Sequence, residues 1–180
     1  MNDIEERLLA FRCPRWEELP DLELYADQMV NYIERHLSVL DIEQEGRLIT
    51  ASMINNYVKM KLIPAPVKKK YGSRQLARLI VVCTLKRDFS ISELSKMINI
   101  ELARFENRIA YNLFCEEMES SIRHVFLGEA MPPVGPSREE AIVRAVMTAF
   151  ANKLYAHCMI HVFSQESDAG FIALPAENNP

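Results

Sequence analysis

The side chains best placed to do chemistry in this chain are two adjacent carboxamides. Asn55 and Asn56 sit in "MINNYVKMK", with Lys59 one helical turn further on. A carboxamide carries a donor and an acceptor and can pair bidentately with an adenine edge in the major groove. A lysine at one-turn spacing can hold a phosphate. If Ile54, Tyr57, Val58 and Leu62 face a core, then Asn55, Asn56 and Lys59 point outward. Asn is a middling helix former, so propensity gives no reason for the pair. The competing reading is a solvated helix face that carries Asn.

The surroundings weigh against a merely solvated face. The chain has a formal charge of −4, yet no Asp or Glu occurs between Gly46 and Arg87. The same stretch holds Arg47, Lys59, Lys61, Lys68, Lys69, Lys70, Arg74, Arg78, Lys86 and Arg87. That leaves 11 basic residues (21 less 10) against 25 acidic ones elsewhere, a net of −14. A +10 segment on an acidic body attracts a polyanion to one region and repels it from the rest.

Other candidate chemistry is thinner. His157 and His161 have i,i+4 spacing that two metal ligands can use, but no acid lies between them and a third ligand would have to come from elsewhere, such as Cys115 or His124. The methionines from Met53 to Met159 can fill a core or line an adaptable pocket, and core filling is the commoner use. No G-x-S-x-G, Walker-type loop or G-x-G-x-x-G is present, so neither an enzyme nor a cofactor is expected. Cys13, Cys83, Cys115 and Cys158 form no C-x-x-C pair, which fits a reducing cytosol better than a disulfide framework or zinc module. The acidic N-terminus does not read as a secretory signal, and "LIVVC" is too short to span a bilayer. A soluble cytoplasmic protein with no membrane partner is expected.

Helices must position the carboxamides and cations. Five Gly in 180 residues and short β-branched runs favour helix. Pro14 and Pro20 bracket a short turn, with Trp16 as an anchor. Asp21 can cap a helix bearing Leu22, Tyr25, Met29, Ile33 and Leu37, which fades in "DIEQEGR" with Gly46 as a stop. Thr50 or Ser52 can cap the next helix, to about Lys61, and Pro64 and Pro66 prevent its continuation. "PAPVKKKY" reads as an extended loop. Ser73 can cap a third helix with Leu76, Leu79, Ile80 and Cys83 inside. Ser90 and Glu93 have capping-box spacing, and Phe89 and Leu94 have staple spacing. One long pattern then runs Leu102, Phe105, Ile109, Leu113, Met118, Ile122, Phe126, ending at "GEAMPPVGP". Ser137 and Glu140 open a last helix with Ile142, Ala145, Val146, Ala149 and Phe150 as its stripe.

A short helix, a Pro-bounded basic loop and a second basic helix resemble a winged helix-turn-helix. "MINNYVKMKLIPAPVKKKYGSRQLARLIVVCTLKRDFSISELSKMI" resembles the N-terminal domain of MerR-type regulators. Tyr57, Leu62-Ile63-Pro64, Tyr71 and Phe89-Ser90-Ile91 fall on that pattern. Asn55-Asn56 stand where those helices usually carry Arg-Tyr, and the connection from Ser38 to Ile49 is long. "LPDLELYADQM", "ITASMINNYVKMKLIPAPVKKKY" and "LARLIVVCTLKRDFSI" are more closely similar to the bacterial family called domain of unknown function eighteen thirty-six, over roughly Trp16 to Ile122.

The expectation is therefore an all-α or mainly α chain. It would comprise an N-terminal segment (1–20), a MerR-like winged helix-turn-helix domain (21–100), additional C-terminal helices (101–163) and a tail (164–180). The resemblance implies a sequence-specific transcriptional regulator of double-stranded DNA. Its contacts would come from Thr50, Ser52, Asn55, Asn56, Tyr57, Lys59, Lys61, Lys68, Lys69, Lys70, Tyr71 and Arg74. A homodimer is expected, with the helices from Leu102 onward as candidates for the dimer interface and for sensing a small-molecule effector. The alternative is a helical adaptor docking an acidic protein.

Overall fold

The computed structural model describes residues 2–42 and 46–169. The Glu43–Glu45 part of "DIEQEGR" and the tail from residue 170 lie outside the described residues. The described chain is mainly helical: α1 (Asp3–Leu9), α2 (Ala26–Leu37), α3 (Ala51–Lys59), α4 (Ser73–Leu85), α5 (Ile91–Arg104), α6 (Asn107–Leu127) and α7 (Arg138–Ala169). Two 3₁₀ turns, Trp16–Glu18 and Ser38–Leu40, complete it. One continuous cluster of buried side chains, from Leu8 to Cys158, touches all seven helices.

The central element is α4. Leu76, Ala77, Leu79, Ile80, Val82, Cys83, Thr84 and Leu85 are all buried, so it is covered on nearly every side. It packs against α2, α5 and α6. Its N-cap is Gly72, not Ser73: the Gly72 N–H donates to Gln75 Oε1 at 3.1 Å, while the Ser73 hydroxyl donates to the Pro20 carbonyl at 2.9 Å. Ser73 is thus occupied in tying α4 to the segment before α2.

That segment is extended. Leu24 and Tyr71 exchange backbone hydrogen bonds, both 2.8 Å. Residues 21–25 therefore cannot start the helix. α2 begins at Ala26, with Leu22 72% and Tyr25 53% exposed rather than on its buried stripe.

The Ser90–Glu93 and Ser137–Glu140 boxes form as the spacing suggests, with Glu93 N–H donating to Ser90 Oγ at 3.3 Å and Glu140 N–H to Ser137 Oγ at 3.1 Å. The long pattern between them is two helices. Phe105 is extended (φ −121°, ψ 149°), and Ile109 beyond it is 52% exposed. The bend turns α6 so that Tyr111, Phe114, Cys115, Met118 and Ile122 face inward. No Gly or Pro marks it.

α7 runs parallel to α6. Glu117 pairs with Arg144 and, further along both helices, Phe126 packs edge-on against Tyr155. The connection from Gly128 to Ser137 returns along the pair, and Arg144 Nη1 donates to the Pro132 carbonyl at 2.9 Å. The buried stripe of α7 is Val143, Met147, Phe150, Ala151, Leu154 and Cys158; Ala145 and Ala149 are exposed. The helix also continues through Ala169, past the expected end of the helical region at 163.

The N-terminal segment is fastened to α6. Arg15 donates to both oxygens of Glu119 at 2.7 Å, and the Cys13 N–H donates to Glu119 Oε1 at 2.9 Å. Tyr111 Oη donates to the Pro14 carbonyl at 2.8 Å, and Trp16 meets Tyr111 edge-on. Cys13 and Cys115, far apart in sequence, both lie against this cluster as free, buried thiols.

Candidate nucleic-acid interface

α3 starts because Thr50 is extended and its Oγ1 accepts the Met53 N–H at 3.2 Å. Ile54 and Tyr57 are buried and hold the helix to the core. The opposite side carries Ser52, Asn55, Asn56 and Lys59, all exposed and spaced as one stripe. None of these four side chains has a hydrogen bond or ion pair to the described residues.

The helix ends in a left-handed residue. Lys61 has φ 57°; its N–H donates to the Val58 carbonyl at 3.0 Å and the Leu62 N–H to the Tyr57 carbonyl at 2.9 Å. This is the 6→1, 5→2 closure that glycine usually makes. Leu62 and Ile63 then turn into the core.

The loop from Pro64 to Tyr71 is tighter than an extended run. Val67 and Lys70 exchange backbone hydrogen bonds of 3.0 and 2.9 Å around Lys68 (φ 48°) and Lys69 (φ 64°). Positive φ at both central positions is the geometry that Asn-Gly sequences favour. Among the described residues, every non-glycine position with positive φ is a lysine: 61, 68 and 69. Nothing in "VKKKY" signals such a turn, since none of its residues prefers that backbone region. The pairings Leu24–Tyr71 and Val67–Lys70 are isolated bridges, and no strand forms among the described residues. A wing built on a strand ladder is therefore not seen among the described residues; this segment forms a two-residue turn.

The expected contact residues separate into groups. Lys59, Lys61, Lys68, Lys69 and Arg74 are exposed and have no ion pair among the described residues. Lys70 is half-buried, its Nζ 5.5 Å from the Tyr25 ring centroid. Thr50 uses its hydroxyl as a cap. Tyr57 and Tyr71 are 6% and 3% exposed, and burial raises both phenol pKa values. They support the helix and the turn from beneath and are not part of the outer surface.

Of the remaining cations Arg47 is exposed, while three others are partly withdrawn or paired. Arg78 is half-buried because α4 is central, and burial with Arg74 nearby lowers its pKa. The Lys86 ammonium donates to the Leu48 carbonyl, and burial lowers its pKa too. Arg87 pairs with buried Asp41 at 2.5 Å. The absence of acids between Gly46 and Arg87 thus overstates the exterior patch: Arg78 and Lys86 are half-buried, and Arg87, though exposed, is paired with Asp41.

The family model described as Domain of unknown function (DUF1836) matches residues 14–117. The chain belongs to that family. The matched span runs from the N-terminal anchor to the middle of α6, so it contains α3, the lysine turn and α4, and leaves α7 outside. No curated protein matches the chain, and no solved structure does.

His157 and His161 lie on α7, where Gln165 Nε2 donates to His161 Nε2 at 2.8 Å. Among the described residues no three His, Cys, Asp or Glu side chains gather as a metal site would require. No described helix is long and apolar enough to cross a membrane.

Proposed function

We propose that this family member is a sequence-specific regulator of double-stranded DNA, acting as a dimer, with a reduced version of the MerR-like arrangement. α3 enters the major groove with Asn55 and Asn56 toward base edges. Lys59, Lys61, Lys68, Lys69 and Arg74 hold phosphates. The observation that carries this reading is the exposed Asn stripe followed by cations without internal partners. Phosphate contacts set register and affinity, and carboxamide contacts set sequence. The two-residue lysine turn does the work of a wing on a shorter reach.

Electrophoretic or anisotropy titration of genomic fragments over a salt series tests it. With five cations engaged, log K falls by about 4.5 per unit of log salt per protomer. Asn55→Ala weakens preferred sites by about 1–3 kcal/mol and leaves random DNA unchanged, whereas Lys69→Ala weakens both alike and lowers the slope by about 0.9. A flat salt response, or no binding at low salt, overturns the reading. Capture of an acidic protein that survives nuclease treatment would replace it with the adaptor.

A further inference from the structure

α4, α5, α6 and α7 line an apolar cavity of about 80 Å³ that opens to solvent, with Arg74 of the basic surface among its lining residues. Its walls include Val81, Met97, Ile98, Phe114, Val146 and Met147. Apolar concavities with a few polar groups that fix orientation are where small ligands are held. Three charged side chains also reach it, Arg74 and Arg78 from α4 and Glu101 from α5, of which Arg74 is exposed to solvent.

They are not equivalent. Both carboxylate oxygens of Glu101 are shut off from solvent and have no hydrogen-bond partner. On Arg78 only Nε is in that position. Glu139 and Glu140, at the start of α7, add charge of the same sign to Glu101; with burial they push it up to about 7. Charged or protonated, a buried carboxyl without a partner costs free energy, and few such groups persist without a reason. What the cavity lacks is a nitrogen that can donate to both oxygens and offset the negative charge around them. An acid could face Arg74 and Arg78, but Arg74 is exposed to solvent and only Nε of Arg78 lacks a partner, whereas both Glu101 oxygens would stay unsatisfied.

We propose that this cavity binds a small lipophilic amine, its ammonium paired with Glu101 and its apolar body among the side chains of α4 to α7. The site does not require the DNA reading, although Arg74 belongs to both. It is nevertheless placed to influence α4, whose N-terminus follows the lysine turn.

Trp16 lines the same cavity and is the chain's one tryptophan, so its fluorescence reports occupancy directly. The experiment titrates the full chain with 4-phenylbutylamine, 4-phenylbutanoic acid and butylbenzene, which share an apolar body and differ in head group. The amine shifts Trp16 emission at micromolar concentration and binds at least tenfold more tightly than the acid or the hydrocarbon. Glu101→Gln abolishes the amine's advantage and leaves butylbenzene binding unchanged. The proposal is overturned if the acid binds as tightly as the amine, which would make Arg78 the anchor. It also fails if none of the three shifts the emission at millimolar concentration. Because that comparison uses the unaltered chain, it stands even if the variant folds poorly.

Discussion

Two regions of this molecule treat charge in opposite ways. In the α6–α7 layer and the N-terminal segment fastened to it, cations have carboxylate partners: Arg15 with Glu119, Arg108 with Glu17, Arg123 with Glu129, and Arg144 with Glu117. From α3 to the start of α4, five exposed cations have none among the described residues. There, three lysines also hold backbone conformations that side chains avoid, at roughly 1 kcal/mol or more each. In the first region charge stabilises the fold. In the second it works against the fold, through self-repulsion and strain, and the proposed DNA contact would give it a use outside the molecule. Removing a charge should therefore have opposite signs of effect in the two regions.

The largest effect is expected where the pairing is most enclosed. Glu119 accepts both Arg15 bonds and the Cys13 N–H while largely buried. Glu119→Ala leaves a guanidinium and a backbone donor without partners and should destabilise by about 3 kcal/mol. Urea unfolding would show a lower midpoint at unchanged slope. A loss below about 1 kcal/mol would mean that the N-terminal segment is held by packing alone, and the contrast between the regions would weaken.

Glu101 of α5 sharpens the comparison, because it lies outside the basic surface and its carboxylate oxygens have no hydrogen-bond partner. Its pKa is raised to about 7 from an ordinary 4.5. The folded state thus holds the proton more tightly than the unfolded chain, and ionisation opposes folding. The penalty is absent below about pH 4.5, grows as pH rises toward 7, and is constant above. Glu101→Gln should therefore stabilise the chain by about 2 kcal/mol at pH 8, after allowance for water at the cavity mouth, and hardly at all at pH 4.5. Unfolding measured at both pH values checks this. Equal effects at the two would show that Glu101 is not desolvated as its burial implies.

Sequence patterns revealed the elements with strong local chemistry. Ser90 with Glu93 and Ser137 with Glu140 gave two helix starts, because a capping box is a short-range bond whose partners are fixed by spacing. The outward face of α3 was legible for the same reason, since Ile54 and Tyr57 determine which side is buried. Features set by distant contacts were not legible. The start of α2 moved to Ala26 because Leu24 pairs with Tyr71 across the fold. Phe105 breaks the long pattern so that α5 and α6 can each reach α4, and no residue type marks the bend. Arg78 reads as a surface cation until α4 proves to be central. The left-handed lysines were invisible because their sequence argues against the conformation.

The smallest expected effect is the one that opposes stability to function most directly. In Lys69→Gly, the second turn residue becomes one for which φ 64° carries no steric penalty. The chain should gain about 0.5–1 kcal/mol, the relief of strain being partly offset by the freer unfolded glycine. On the proposed function the same change removes a phosphate contact, so DNA affinity should fall and the salt slope should drop by about 0.9. Lys69→Ala separates the two effects: it loses the charge and keeps the strain, so affinity falls with only the smaller gain in stability that relieved repulsion gives. If Lys69→Gly instead destabilised, the turn would be supported by its neighbours, and lysine there would need no outside use. A rise in stability together with a loss of affinity is what a surface shaped for a partner requires, since a residue retained against the fold's own preference must be retained for something it touches.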